Sequence, residues 1–139
     1  MGEENVELVR TLFTLFERRQ HERAFEFYAE DIEWDSTAIR DHNPDIAGVF
    51  HGHEGVRNYW RGWLEAWSDL QFELEDVREG DPGEVVALVR NQRQWGRHSG
   101  LETEIPPYGL VFTINDGKVT RWRSYADQEA ALEAAGVPS

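Results

Sequence analysis

The apolar residues of this chain change their spacing partway along it, and that change limits the folds open to it. Up to about residue 67 they recur at helical intervals. Val6, Val9, Phe13 and Phe16 share one stripe, with Leu8, Leu12 and Leu15 beside them, which predicts a helix over residues 3–19. Phe25 and Tyr28 predict a short helix over 22–29, and the alternation Ile32, Glu33, Trp34, Asp35 a short strand. After His51, Gly52 and His53, the residues Val56, Tyr59, Trp60, Trp63, Leu64 and Trp67 form a wide stripe on a third helix. From Leu70 onward the period is two. Leu70, Phe72 and Leu74 alternate with polar residues, and strand-like segments follow at 84–95, 101–105, 108–114 and 118–126. Turn residues at 80–83 and the triplet Asn115, Asp116, Gly117 separate them. Asp127 is placed to cap a closing helix that ends at Gly136.

Helices that precede a run of antiparallel strands imply an α+β layer fold. The expected architecture is a strongly curved antiparallel (mixed) sheet forming a cone closed by three N-terminal helices, with a short C-terminal helix. The 139 residues suit a single domain over 1–139. With 27 acidic and 14 basic residues the net charge is −13, which repels phosphate backbones and anionic membranes, so neither nucleic acid nor a membrane surface is an expected partner. Cysteine is absent, so thiolate chemistry and Cys-ligated metals are excluded. The first twenty residues are charged throughout and no apolar run approaches the roughly 18 residues of a membrane span, so a cytoplasmic location is expected.

Four landmarks occur in order: Phe27-Tyr28-Ala29-Glu30-Asp31 before the first strand, His51-Gly52-His53-Glu54-Gly55-Val56 before the third helix, Asp116-Gly117-Lys118-Val119 at the last hairpin, and Tyr125-Ala126-Asp127 leading to Ala131-Leu132-Glu133-Ala134-Ala135-Gly136. With these, nearly the whole chain resembles the SnoaL-like branch of the nuclear transport factor 2-like superfamily, which includes ketosteroid isomerases and polyketide cyclases. The resemblance implies an aromatic-lined cone that takes a small hydrophobic molecule. That molecule is either the substrate of a cofactor-free acid/base isomerase or cyclase, or the ligand of a non-catalytic binding or dimeric interaction domain. The fold alone does not separate them.

Carrying the isomerase residues over places the helix tyrosine at Leu12, the base at Ser36 with Asp35 one residue earlier, and the second oxyanion donor at Gly109. None has the required type, and a one-residue slip to Asp35 turns the side chain to the other face of a strand. The cyclase acid/base of SnoaL-type enzymes falls nearest Asp127, which also reads as a helix cap. Asp127 and Asp35 are therefore the catalytic candidates, with His98 a possible partner by type. Arg93, Arg121 and Arg123 have no Asp two residues away, as an Asp-Arg-Asp water-activating cluster would need.

On the family alignment, the expected pocket lining is Leu12, Phe13 and Phe16, Trp34 and Ser36, Tyr59, Trp60 and Trp63, Gly109, Val111 and Thr113, and Trp122 and Ser124. Such a lining suits a flat, mostly apolar ligand; the alternative is that these aromatics fill the cone as core. Leu110, Phe112 and Ile114 then fall on the outer face, where a homodimer or the C-terminal helix would cover them. His51 and His53, with Asp41, His42 and Asp45 upstream, have the residue types but not the convergence of a metal site, so no metal is expected. Residues 37–50 form a long loop at the cone's mouth, carrying Arg40, Asp41, His42 and Asp45. His21 at an interhelix turn, and the acidic residues Glu73, Glu75, Asp76, Glu79, Asp81 and Glu84, are expected in solvent.

Overall fold

The computed structural model describes residues 2–39 and 44–137. Its elements in chain order are α1 (Gly2–Glu17), α2 (His21–Ala24), β1 (Tyr28–Asp35), β2 (Val49–His51), α3 (Gly52–Ala66), β3 (Trp67–Glu79), β4 (Glu84–Gly96), β5 (Glu102–Ile105), β6 (Tyr108–Asn115), β7 (Lys118–Tyr125) and α4 (Gln128–Ala134). One sheet runs β2-β1-β7-β6-β4-β3, with β5 added beside β4. Among the described residues only β1 and β7 pair in parallel, so the sheet is mixed. It curls strongly around α1 and α3, giving the α+β cone that the two periods imply. No helix among the described residues is long and apolar enough to cross a membrane.

α1 buries Val9, Leu12, Phe13 and Phe16 and carries Glu3 and Glu4 in its first turn, where the helix dipole favours anions. It stops because Arg19 adopts a left-handed conformation (φ 58°), letting the Gln20 N–H reach back to the Leu15 carbonyl at 2.8 Å. The carbonyls at the end of α3 are met by Arg97, which donates from its backbone N–H to Ala66 (2.9 Å) and from its guanidinium to Leu64 (2.7 Å) and Trp67 (3.3 Å).

The second helix is shorter than its sequence implies. Four α-helical residues, His21–Ala24, pass into a single 3₁₀ turn, Phe25–Phe27, and β1 begins at Tyr28. Tyr28 is held in the sheet by its ring, 5.5 Å from Trp34 and 5.2 Å from Phe25. Packing of a β-favouring aromatic outweighs the local helical spacing here.

Bulges supply the curl. The β3–β4 register shifts between Gln71 and Glu73 and again between Leu74 and Asp76, and β6–β7 shifts between Thr113 and Ile114. On β4 the shift surrounds Asn91, which is left-handed (φ 52°). Before it, Val85, Ala87 and Val89 face the main core; after it, the buried residues are Gln92 and Gln94. The extra residue moves the inward face from odd to even positions.

The described residues form two cores. The main one lies inside the cone. The second lies on the outer face, where Val86, Leu88 and Val111 pack against Ala131, Leu132 and Ala135 from α4. This corrects the facing expected for β6. Phe112 pairs directly with Trp122, and cross-strand partners share a face, so Leu110, Phe112 and Ile114 point into the main core. They cannot form an outer dimer surface, and it is Val111 that α4 covers. Gly109 lets α4 come close, since a Cβ there would overlap the Ala131 methyl. Gly109→Val is expected to lower unfolding stability by about 1–3 kcal/mol, read from urea midpoints; a change below about 0.5 kcal/mol would mean that α4 shifts without loss.

Candidate functional site

Between α1, α3 and the concave face of the sheet lies a cavity of about 250 Å³. Trp34 of β1 and Trp122 of β7 form its floor. They are register partners on adjacent parallel strands, and their rings stack at 4.2 Å with 8° between planes. α3 contributes Tyr59, Trp60 and Trp63, and α1 contributes Phe13 and Phe16. Tyr59 is wedged among rings, 5.6 Å from Trp34, 6.0 Å from Trp122, 5.0 Å from Trp60 and 5.7 Å from Phe50. Leu70, Phe72 and Leu110 form the sheet side, and Ala38, Ile105, Pro106, Tyr125 and Ala126 complete the lining.

Seven of the residues expected in the lining come together here: Phe13, Phe16, Trp34, Tyr59, Trp60, Trp63 and Trp122. Six do not. Leu12 is fully buried in the core behind α1. Ser36 is buried, donating to the Ile46 carbonyl (2.6 Å) and accepting from the Gly48 N–H (3.3 Å), so it fastens the loop after β1. Ser124 donates to the Asp35 carbonyl at 3.2 Å. Gly109 and Val111 face α4, and the Thr113 hydroxyl donates to Glu84 at 2.5 Å.

The two carboxyl candidates are also engaged elsewhere. Asp127 is exposed and accepts from the Ala130 N–H at 2.8 Å, capping α4. The Asp35 carboxylate accepts from the Thr37 N–H (3.0 Å) and hydroxyl (2.7 Å), one residue out of phase with the inward Trp34. Neither lines the cavity. His98 lies in the exposed turn between β4 and β5. Arg121 pairs with Glu33 (2.7 Å), Arg123 with Glu84 (3.0 Å) and Arg93 with Glu102 (4.0 Å), all outside the lining. Glu84 is therefore a half-buried ion-pair partner and not a solvated edge residue. His53 donates from Nε2 to the Tyr28 carbonyl (3.0 Å), and Arg40, Asp41 and His42 lie outside the described residues. His21 is not solvated: it stacks on Trp60 at 4.2 Å, and burial, followed by Arg19, holds its pKa below the usual value.

The polar groups of the cavity are others. The Tyr108 hydroxyl donates to Gln92 Oε1 at 2.5 Å, and Gln92 Nε2 donates to Gln94 Oε1 at 3.1 Å. Both glutamines face inward only because of the bulge at Asn91. The sequence carries a hint of it: Arg90 and Arg93 are charged and three apart, which in a strand with one buried face requires a break in the alternation. Among the described residues no Asp, Glu, His, Lys or Arg lines the cavity. Its ionisable groups are tyrosines. Burial, then the nearby Tyr108, pushes Tyr59 well above the ordinary phenol range, and burial does the same to Tyr108 against the lowering effect of Gln92. Both remain neutral at any working pH. The indole N–H groups of Trp34, Trp60 and Trp122 are buried without a partner among the described residues.

A family profile, the SnoaL-like domain, matches residues 9–122. The chain belongs to the SnoaL-like domain family. Solved structures share the fold at low identity. A nuclear transport factor 2-like protein of unknown function from Burkholderia pseudomallei K96243 has a TM-score of 0.77 at 17% identity, covering 95% of this chain and 97% of that one. TerC, co-crystallised with polyporic acid, has a TM-score of 0.75 at 17% identity, with 95% and 97% covered. A candidate polyketide cyclase from Xanthomonas campestris pv. campestris has a TM-score of 0.71 at 20% identity, with 94% and 96% covered. No curated protein matches this SnoaL-like chain at a significant level.

Proposed function

We propose that this SnoaL-like domain binds a small, flat, mostly apolar molecule in its cone, and does so without carboxylate or imidazole acid–base chemistry. The observation that carries the reading is the lining itself: stacked indoles and aromatic walls, with no carboxylate, imidazole or cationic side chain among the described residues around it. Aromatic walls favour planar guests through offset and edge contacts. A dry apolar cavity of about 150 Å³ accepts one benzene ring, so 250 Å³ suits a guest of one to two fused rings. TerC, a fold neighbour, was co-crystallised with polyporic acid, which supports a ligand-holding role for such a cone. Burial raises the pKa of Tyr59 and Tyr108 and keeps both as neutral phenols, so they act through hydrogen bonds and not as bases.

Calorimetric titration with 1-naphthol tests this. Saturable one-to-one binding is expected, with the probe recovered chemically unchanged. Leu70→Trp, which fills the cavity from β3, should weaken binding at least about tenfold while the protein still unfolds cooperatively. Absence of saturable binding, equal binding by the filled variant, or conversion of the probe would overturn the reading.

A further inference from the structure

We infer that the Tyr59 hydroxyl is a specificity-determining group of the cavity, selecting flat ligands that carry an uncharged oxygen acceptor such as a phenol or carbonyl. The inference rests on the ligand-binding reading above and adds the chemistry of the guest.

The polar atoms around the cavity differ in what they have left to offer. The Tyr108 proton is spent on Gln92, and the Gln92 amide already serves Gln94. The Tyr125 oxygen accepts from Arg123 Nη1 at 3.2 Å, and its ring packs against the second core on the α4 side of the sheet. The three unpartnered indole N–H groups are closed over by protein atoms, as is the Tyr28 hydroxyl, which does not line the cavity. Tyr59 is the contrast: it lines the cavity and its hydroxyl bonds no described residue.

Its position is fixed before any ligand arrives. α3 sets the backbone, and Trp34, Phe50, Trp60 and Trp122 hold the ring from four sides. A donor held in this way loses little side-chain freedom on binding. Tyr108, its hydroxyl bonded to Gln92, lines the same cavity, so the polar groups offered to a guest are uncharged. The free Tyr59 proton suits an oxygen that accepts. It gives a carboxylate no counter-charge and an ammonium no anionic partner, and burying either charge unpaired is strongly unfavourable.

The test compares naphthalene with 1-naphthol, the same rings without and with the oxygen, on wild type and on Tyr59→Phe. The phenylalanine keeps the ring packing. The naphthol-to-naphthalene affinity ratio should fall about 3–10-fold in Tyr59→Phe, the worth of one hydrogen bond, while naphthalene binding stays within about twofold. On wild type alone, 1-naphthylmethylammonium should bind at least about tenfold more weakly than 1-naphthol, a comparison that needs no variant. If both uncharged probes bind but the ratio is unchanged in Tyr59→Phe, or the ammonium binds as well as the naphthol, the role of Tyr59 is wrong and the binding reading stands. If naphthalene binding falls in step with naphthol, Tyr59 acts through packing and the inference is likewise overturned. If neither uncharged probe binds wild type, the binding reading itself fails and takes this inference with it.

Discussion

Trp34→Ala is expected to cost about 3–5 kcal/mol of unfolding stability, the range for removing a large buried aromatic. Trp34 is fully buried, stacks on Trp122, and touches Tyr28, Tyr59 and Trp60 with its edges and faces. Its loss opens the floor of the cavity and leaves four aromatic rings without a common support. Native domains of this size are stable by only about 5–15 kcal/mol, so the variant should lie close to the threshold of folding. Trp34→Phe isolates the packing from the polar part. It keeps a ring on Trp122 and removes an indole N–H that is buried unpartnered, a group whose burial costs about 1–3 kcal/mol. Its loss of stability should therefore stay below about 2 kcal/mol. Urea unfolding with unchanged slope measures both. A loss below 1 kcal/mol for Trp34→Ala would show that the indole stack is not a structural support.

Inserting one alanine after Asn91 should be as damaging, for a different reason. Asn91 is the extra residue in the β4 bulge, and its left-handed backbone is tolerated by Asn at small expense. One further residue moves everything beyond the bulge by one position. Gln92 and Gln94 turn outward, and Arg93 and Trp95 turn toward the cavity. Burying the Arg93 charge without its Glu102 partner is the dominant penalty. A loss of at least about 3 kcal/mol, or of cooperative unfolding altogether, is expected. Asn91→Gly retains the bulge and should lie within about 1 kcal/mol of wild type. Equal stability of the insertion and the wild type would mean that the residue count at the bulge does not set the inward face of β4.

What could be read from the sequence follows from how much each period says about facing. A helical stripe names one face, so Phe13, Phe16, Tyr59, Trp60 and Trp63 could be placed toward the sheet from spacing alone. Strand alternation names a face only if the two faces differ. β6 is apolar at both parities because the cone covers one side and α4 the other, so Gly109 and Val111 were as plausible inward as Leu110 and Phe112. The register of Phe112 with Trp122 decides it, and that pairing lies 10 residues apart across a hairpin with its own bulge. Gln92 and Gln94 stayed hidden because an inserted residue reverses the parity of everything after it. The hydroxyls of Ser36, Thr113 and Ser124 had the right chemistry for a ligand, but short hydroxyls satisfy themselves on nearby carbonyls and carboxylates. The longer Tyr59 and Tyr108 side chains reach the cavity instead.

A crystal structure of the protein soaked with 1-naphthol examines the central claim most directly. The account predicts the naphthalene rings packed over the Trp122 face between Phe72 and Trp63, with the oxygen within hydrogen-bond distance of Tyr59 Oη. A cone filled by collapsed side chains, or a probe bound only on the outer surface, would contradict it.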